Sequence, residues 1–104
     1  MLTFGTYQKS AVTTAIYPKQ WHIYYPAMGL SAEAGEVANK VKKIMRDGKY
    51  DRDAIAAEIG DVLWYCAALA EDMGFLLEDI AEQNLNKLYS RKERNVLSGS
   101  GDER

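Results

Sequence analysis

The 104 residues include 47% hydrophobic and 27% charged side chains, with 13 basic against 15 acidic groups and a formal charge of −2. That length holds one domain with a modest core, and the charge balance excludes the basic footprint of a protein that binds a nucleic-acid duplex. A single cysteine, Cys66, excludes an intramolecular disulfide and a four-cysteine zinc site, and no apolar run approaches the ~20 residues that a membrane span needs.

The N-terminus lacks the basic start and apolar core of a secretory leader, so the cytoplasm is the expected location. From Thr3 to Tyr17, Phe4, Tyr7, Ala11 and Ala15 recur near one face, which predicts a first helix ended by Pro18. Residues 18–27 carry Trp21, His22, Tyr24 and Tyr25 before Pro26 and read as an aromatic loop or short turn. Leu30, Val37, Val41 and Ile44 form a stripe that predicts a second helix over 27–47, with Lys42, Lys43 and Arg46 in its last turns and Gly48 as its stop. Asp51 is placed to N-cap a third helix over 52–73, whose stripe is Ile55, Ile59, Val62, Cys66, Leu69 and Met73, with Gly74 to end it. The last helix is expected over 77–94, with Leu77, Ile80, Leu85 and Leu88 facing inward. Its acids Glu78 and Asp79 and its bases Lys87, Arg91, Lys92 and Arg94 sit at the ends that suit the macrodipole. Residues 95–104, with Ser98-Gly99-Ser100-Gly101, read as a flexible or site-covering tail. No strand-like alternation occurs. The pattern predicts one all-α domain over residues 1–104, a four-helix bundle with two long central helices, for which self-association is a natural way to bury more surface.

The central helices carry near copies of one segment. Glu33-Ala34-Gly35-Glu36 and Glu58-Ile59-Gly60-Asp61 both read acid, apolar, glycine, acid. At about 100° per residue, Glu33 and Glu36 flank the Leu30, Val37 and Val41 stripe. Glu58 and Asp61 flank Ile55, Val62 and Cys66 in the same phase. A lone Glu-x-x-Glu is usually a solvated helix face. Two such pairs beside apolar stripes converge if those stripes pack together. Converging carboxylates repel, and partial burial sharpens the repulsion. Lys40, four residues after Glu36, offsets part of it. A hard divalent cation such as Mg²⁺ offsets more, takes oxygen ligands without His or Cys, and points to phosphate chemistry. Gly35 and Gly60, each costing about 1 kcal/mol against Ala within a helix, are expected to admit close approach of another helix.

At these residues the chain resembles the MazG-like all-α nucleoside triphosphate pyrophosphohydrolases. Glu33-x-x-Glu36, a gap of twenty-one residues, then Glu58-x-x-Asp61 matches that family's signature. The segments Gly29-Leu30-Ser31-Ala32-Glu33-Ala34-Gly35-Glu36-Val37, Glu58-Ile59-Gly60-Asp61-Val62-Leu63-Trp64-Tyr65 and Asn84-Leu85-Asn86-Lys87-Leu88 are similar too, as is the ending Gly99-Ser100-Gly101-Asp102-x-Arg104. The similarity covers nearly the whole chain. It implies Mg²⁺-dependent hydrolysis (Mn²⁺ as a substitute) of a deoxy or damaged nucleoside triphosphate to the monophosphate and pyrophosphate, a house-cleaning role. It also implies an obligate homodimer, or a homotetramer built as a dimer of dimers, with sites near subunit interfaces. Pyrimidine or modified deoxynucleotides such as dCTP have precedent in the family.

In that picture Glu33, Glu36, Glu58 and Asp61 hold the metal, and Glu33 and Glu36 are the first candidates to accept the proton of the attacking water. Asn84, Lys87 and Arg91 share one face of the last helix; Lys87 and Arg91 are assigned to phosphate and Asn84 to phosphate or sugar. Lys40 either contacts phosphate or pairs with Glu36. For stacking on the base the candidates are Trp21, Tyr24, Tyr25, Trp64 and Tyr65; Tyr65 leads because it shares the carboxylate face, followed by Trp21. Trp64 is expected in the core or at a dimer interface, His22 at the surface or in packing, and Gln8 at a base edge. The tail is either disordered or folds over a neighbouring site so that Arg104 reaches the phosphates. The alternative function is a non-catalytic helical module that binds nucleotide or a partner protein. A di-iron bundle would need Glu-x-x-His pairs, which the chain lacks. The related phosphoribosyl-ATP pyrophosphohydrolase fits the aromatic loop and the tail less well.

Overall fold

A computed structural model describes residues 1–104. It contains four helices and no strands: α1 (Phe4–Ala11), α2 (Tyr24–Asp47), α3 (Arg52–Asp72) and α4 (Leu77–Glu93), with 3₁₀ turns at Val12–Thr14 and Lys19–Trp21. Thr3 and Thr6 form a reciprocal capping box at the start of α1. The helix stops at Ala11, well short of Tyr17. Thr13 and Thr14 donate their hydroxyls to the Ser10 and Ala11 carbonyls at 2.6 Å each, and this β-branched, back-bonded run tightens into the 3₁₀ turn.

Helix α2 begins at Tyr24, three residues earlier than the periodicity predicts. Pro26 does not close a loop; it lies buried in the first turn of α2, where its missing N–H breaks no helical bond. The chain enters that turn through Ile23, whose φ of 71° and ψ of −53° are strained for a β-branched residue. Asp72, at the end of α3, holds this bend. Its Oδ2 accepts from the Ile23 N–H at 2.9 Å and from the Tyr17 hydroxyl at 2.8 Å.

The sequence punctuation between α2 and α3 behaves as expected. Gly48 ends α2 in the left-handed region (φ 71°) with its N–H on the Ile44 carbonyl at 2.9 Å, and Asp51 accepts from the Ala54 N–H at 3.0 Å. The short connection folds the two long helices into a hairpin, the largest single contact between elements of the fold. At Gly29 a side chain of α3 lies directly on the α2 backbone. A Cβ there would sit 2.1 Å from the Tyr65 ring, so only glycine lets that ring lie against the α2 backbone. Gly35 and Gly60 do not play this part in the protomer, because a Cβ on either meets nothing within 4 Å.

Helix α4 has no side-chain cap of its own. Gln8 of α1 provides one: its Oε1 accepts from the Leu77 N–H at 2.8 Å, while its Nε2 donates to the Phe75 carbonyl at 3.0 Å and the Ala67 carbonyl at 3.5 Å. Gln8 is 2% exposed, and both ends of its amide are committed. The expected contact with a base edge is therefore corrected: Gln8 staples α1 to the junction of α3 and α4.

The four helices do not close into a bundle. Helix α4 packs on α1 and on the end of α3 rather than along the hairpin. Only 7 of 104 residues are buried, the apolar ones being Pro26, Ala67, Ala68, Ala70 and Leu77. Ile80, Leu85 and Leu88, expected to face inward, are exposed, as are Ile59 and Met73 of the α3 stripe. The surface of 7879 Å² compares with roughly 5,900 Å² for a compact monomer of this mass. The radius of gyration of 16.3 Å compares with about 13 Å. No helix is long and apolar enough to cross a membrane.

Gln8→Ala leaves a buried N–H and a buried carbonyl unpaired, so it should cost about 2 kcal/mol and lower the melting temperature by about 10 °C in a thermal melt. Gly29→Ala should destabilise by about 1–3 kcal/mol through overpacking and shift the Tyr65 ring resonances.

Candidate metal centre

The α2–α3 hairpin sets Glu33 against Glu58 and Asp61. One carboxylate oxygen from each lies within 4.8 Å of the others. Glu36 is not part of this group: it is exposed and acts on Glu33 through space. Hydrogen bonding to Glu58, then burial and the charges of Asp61, Glu58 and Glu36, push the Glu33 carboxyl above its ordinary range. Lys40 is the nearest counter-charge, and its partner is Glu58 across the hairpin (Nζ to Oε1 4.0 Å), not Glu36 on its own helix. One long ion pair leaves the trio short of positive charge. Three clustered oxygen donors without His or Cys are the ligand chemistry of a hard cation, so Mg²⁺ or Mn²⁺ fits these residues.

Beside the acids opens a cavity of about 400 Å³ lined by Thr14, Glu33, Asp61, Trp64 and Tyr65. Tyr65 thus stands where its phase on α3 places it. Trp64 is neither core nor remote: it lines the same cavity, its Nε1 donating to Thr14 Oγ1 at 2.8 Å and its ring meeting Tyr65 edge-on at 4.9 Å. Trp64 is among the stacking candidates of the sequence, and it follows Asp61 by three residues on α3. Thr14 left no such signal, because the 3₁₀ turn that delivers it is a tertiary feature. Trp21, exposed on the second 3₁₀ turn, does not line this cavity.

Behind Tyr65 the aromatic segment forms a ladder. Tyr25 lies 6.4 Å from Tyr65, and Tyr17 stacks on Tyr25 at 4.7 Å with planes 17° apart. Burial first, then the neighbouring Tyr25, pushes the Tyr65 hydroxyl above its ordinary pKa. The Tyr17 hydroxyl is raised further by burial and by its bond to Asp72. His22 packs edge-on to Tyr17 at 5.6 Å, with Nδ1 3.6 Å from Asp72 Oδ1.

The cations of α4 lie elsewhere. Asn84 and Lys87 border a second cavity of about 630 Å³ with Ile80, Gln83, Asn86 and Asp102. Arg91 is 5% exposed. The tail folds back onto this face, and Asp102 bonds both Lys87 and Arg91. Arg104 does not extend toward a phosphate site in the protomer; its guanidinium donates to the Val96, Leu97 and Gly101 carbonyls of its own tail.

A family model described as the MazG nucleotide pyrophosphohydrolase domain matches residues 27–96, which takes in the acids and the α4 cations. The "Gene 37 protein" of Mycobacterium phage L5 is 49% identical over 109 residues, covering 94% of this chain and 96% of the phage protein. No solved structure matches.

Because the pKa of Glu33 is raised on folding, the folded state holds a proton that the unfolded chain releases. The stability that this group contributes without metal is therefore fully present below its unfolded pKa and is lost as the pH rises through the folded pKa. Millimolar Mg²⁺ should raise the melting temperature, and more so near about pH 8 than about pH 5, since it displaces that proton. Glu58→Gln should raise the metal-free melting temperature and abolish the Mg²⁺ increment. Thermal melts at both pH values, with and without Mg²⁺, check both outcomes.

Proposed function

The chain belongs to the MazG nucleotide pyrophosphohydrolase domain family, and from that premise we propose that it hydrolyses a deoxynucleoside triphosphate to the monophosphate and pyrophosphate, in a house-cleaning role in the cytoplasm. The observation that carries this reading is the trio Glu33, Glu58 and Asp61, within 4.8 Å of one another at the mouth of a cavity walled by Trp64 and Tyr65.

Bound at the trio, Mg²⁺, or Mn²⁺ in its place, supplies charge for the triphosphate and acidifies a water. Glu33, Glu58 and Asp61 hold it. Glu36, outside the trio and exposed, is the better placed of the two candidate bases to accept the proton as the water oxygen attacks the α-phosphorus. The bond from that phosphorus to the α–β bridging oxygen breaks, and pyrophosphate departs with the electron pair. Tyr65 and Trp64 offer faces that stack on any base. Lys40, tied to Glu58, tempers the repulsion among the acids and does not grip phosphate. Asn84, Lys87 and Arg91 receive the departing phosphates.

Those three residues do not border the acidic cavity of their own protomer, and the protomer exposes about 2,000 Å² beyond the expectation for a compact monomer. Both features support a homodimer, or a dimer of dimers, in which one copy's α4 serves the other copy's acids. The excess is of the size that a stable subunit interface buries.

Pyrophosphate release across the ribo- and deoxynucleoside triphosphates, with and without Mg²⁺, tests the reaction. Asp61→Asn should reduce turnover by at least about 100-fold with the helical content unchanged. The absence of turnover on every nucleotide with either metal would remove the enzyme, and nucleotide-induced stabilisation without turnover would leave a binding module in its place. Sedimentation at micromolar concentration should return the mass of two or four chains.

A further inference from the structure

Two polar side chains are buried in the protomer, Gln8 and Arg91. Every polar atom of the Gln8 amide has a protein partner. Arg91 is different: its Nε has none, although a buried guanidinium is costly unless its donors are met. What satisfies the rest of it is borrowed from the tail. Arg91 Nη2 donates to Asp102 Oδ1 at 3.0 Å and to the Asp102 carbonyl at 2.6 Å, and Lys87 Nζ donates to the same Oδ1 at 2.8 Å. One anionic oxygen thus sits between an ammonium and a guanidinium, the arrangement that these two cations give a phosphate oxygen. Lys87, and then Arg91, hold the Asp102 carboxyl below its ordinary pKa, as their close approach requires.

The occupant is built to leave. The Asp102 side chain is 78% exposed, and an ion pair facing water is weakly held. The tail reaches it through Gly99 (φ 135°) and Gly101 (φ 85°), conformations that glycine adopts freely and that let the segment swing. Arg104 ties residues 96–101 together by its three carbonyl bonds, and Arg94, the C-cap of α4, bonds the Arg104 carbonyl at 2.8 Å, so the folded tail stays tethered to the end of α4 when Asp102 leaves. Beside the clamp lies the 630 Å³ cavity with the amides of Gln83, Asn84 and Asn86, roomy enough for a pyrophosphoryl group.

We propose that Asp102 is an internal stand-in for phosphate: its carboxylate occupies the oxyanion seat formed by Lys87 and Arg91, and the tail is released when a pyrophosphoryl group, free or on a nucleotide, takes that seat. This rests on the reading that Lys87 and Arg91 receive phosphate and adds a latch that competes with it. A ligand with several anionic oxygens can meet Lys87, the free Arg91 donors and the neighbouring amides together, which one carboxylate cannot.

Titration calorimetry of the full chain with inorganic pyrophosphate is the test. Removing the competitor frees the seat, so Asp102→Asn should bind pyrophosphate about 3- to 10-fold more tightly and lower the nucleotide KM by a similar factor. In the unaltered chain, pyrophosphate should shift and sharpen the Gly99 and Gly101 amide signals as the tail leaves. Weaker binding by Asp102→Asn would mean that Asp102 orients the cations, and would overturn the latch. Equal binding by both forms, with a loss in Lys87→Ala, would overturn the latch and leave the phosphate seat standing. No binding by any form would remove seat and latch together, while turnover at the acids remains a separate measurement.

Discussion

Three carboxylates within 4.8 Å of one another repel, and the α2–α3 hairpin is what holds them there. The hairpin of α2 and α3 provides the rigidity. Its helices are long, capped at Asp51 and stopped at Gly48, and their contact at Gly29 leaves no room for even a methyl group. The electrostatic strain is relieved only in part, by Lys40 at 4.0 Å from Glu58, and it pushes the Glu33 carboxyl above its ordinary range. A divalent cation is the natural remainder of that balance.

The aromatic wall depends on a second set of restraints. Asp72 holds Tyr17 and the strained Ile23, Tyr17 stacks on Tyr25, and Tyr25 lies against Tyr65, whose far side faces the acids. The strain at Ile23 is local, and two hydrogen bonds to one buried carboxylate oppose it. Gln8 does comparable work at the other end, where one amide closes the junction of three helices. Few side chains are buried, so these polar staples carry a larger share of the architecture than they would in a closed bundle.

Positive and negative charge are kept apart in the protomer. The acids lie on the hairpin, and the α4 cations face a different cavity, where the chain's own Asp102 neutralises them. Together with the exposed apolar face of Ile80, Leu85 and Leu88, this separation is what supports the proposed shared site, in which one copy would present the acids and the other its α4.

Much of this could be read before any coordinates. Helical periodicity located α2, α3 and α4, because apolar stripes and capping residues are local properties of a sequence. The in-phase acid pairs pointed to Glu33, Glu36, Glu58 and Asp61, since residues three apart share a helix face; the structure brings together Glu33, Glu58 and Asp61 and leaves Glu36 outside. What remained hidden depended on contacts distant along the chain. Gln8 reads from the sequence as a contact for a base edge, and its structural part emerges only when α1 meets Leu77 and Phe75, sixty-seven or more residues away. Gly29 is unremarked until Tyr65 lies on it, and Lys40 chooses Glu58 over the closer-numbered Glu36 because the hairpin, not its own helix, brings a carboxylate within reach. Asp102 reaches Lys87 and Arg91 only when the glycine tail turns back. Spacing along a helix dictates which side chains share a face; which faces meet is settled by packing, and packing is where the sequence alone fell silent.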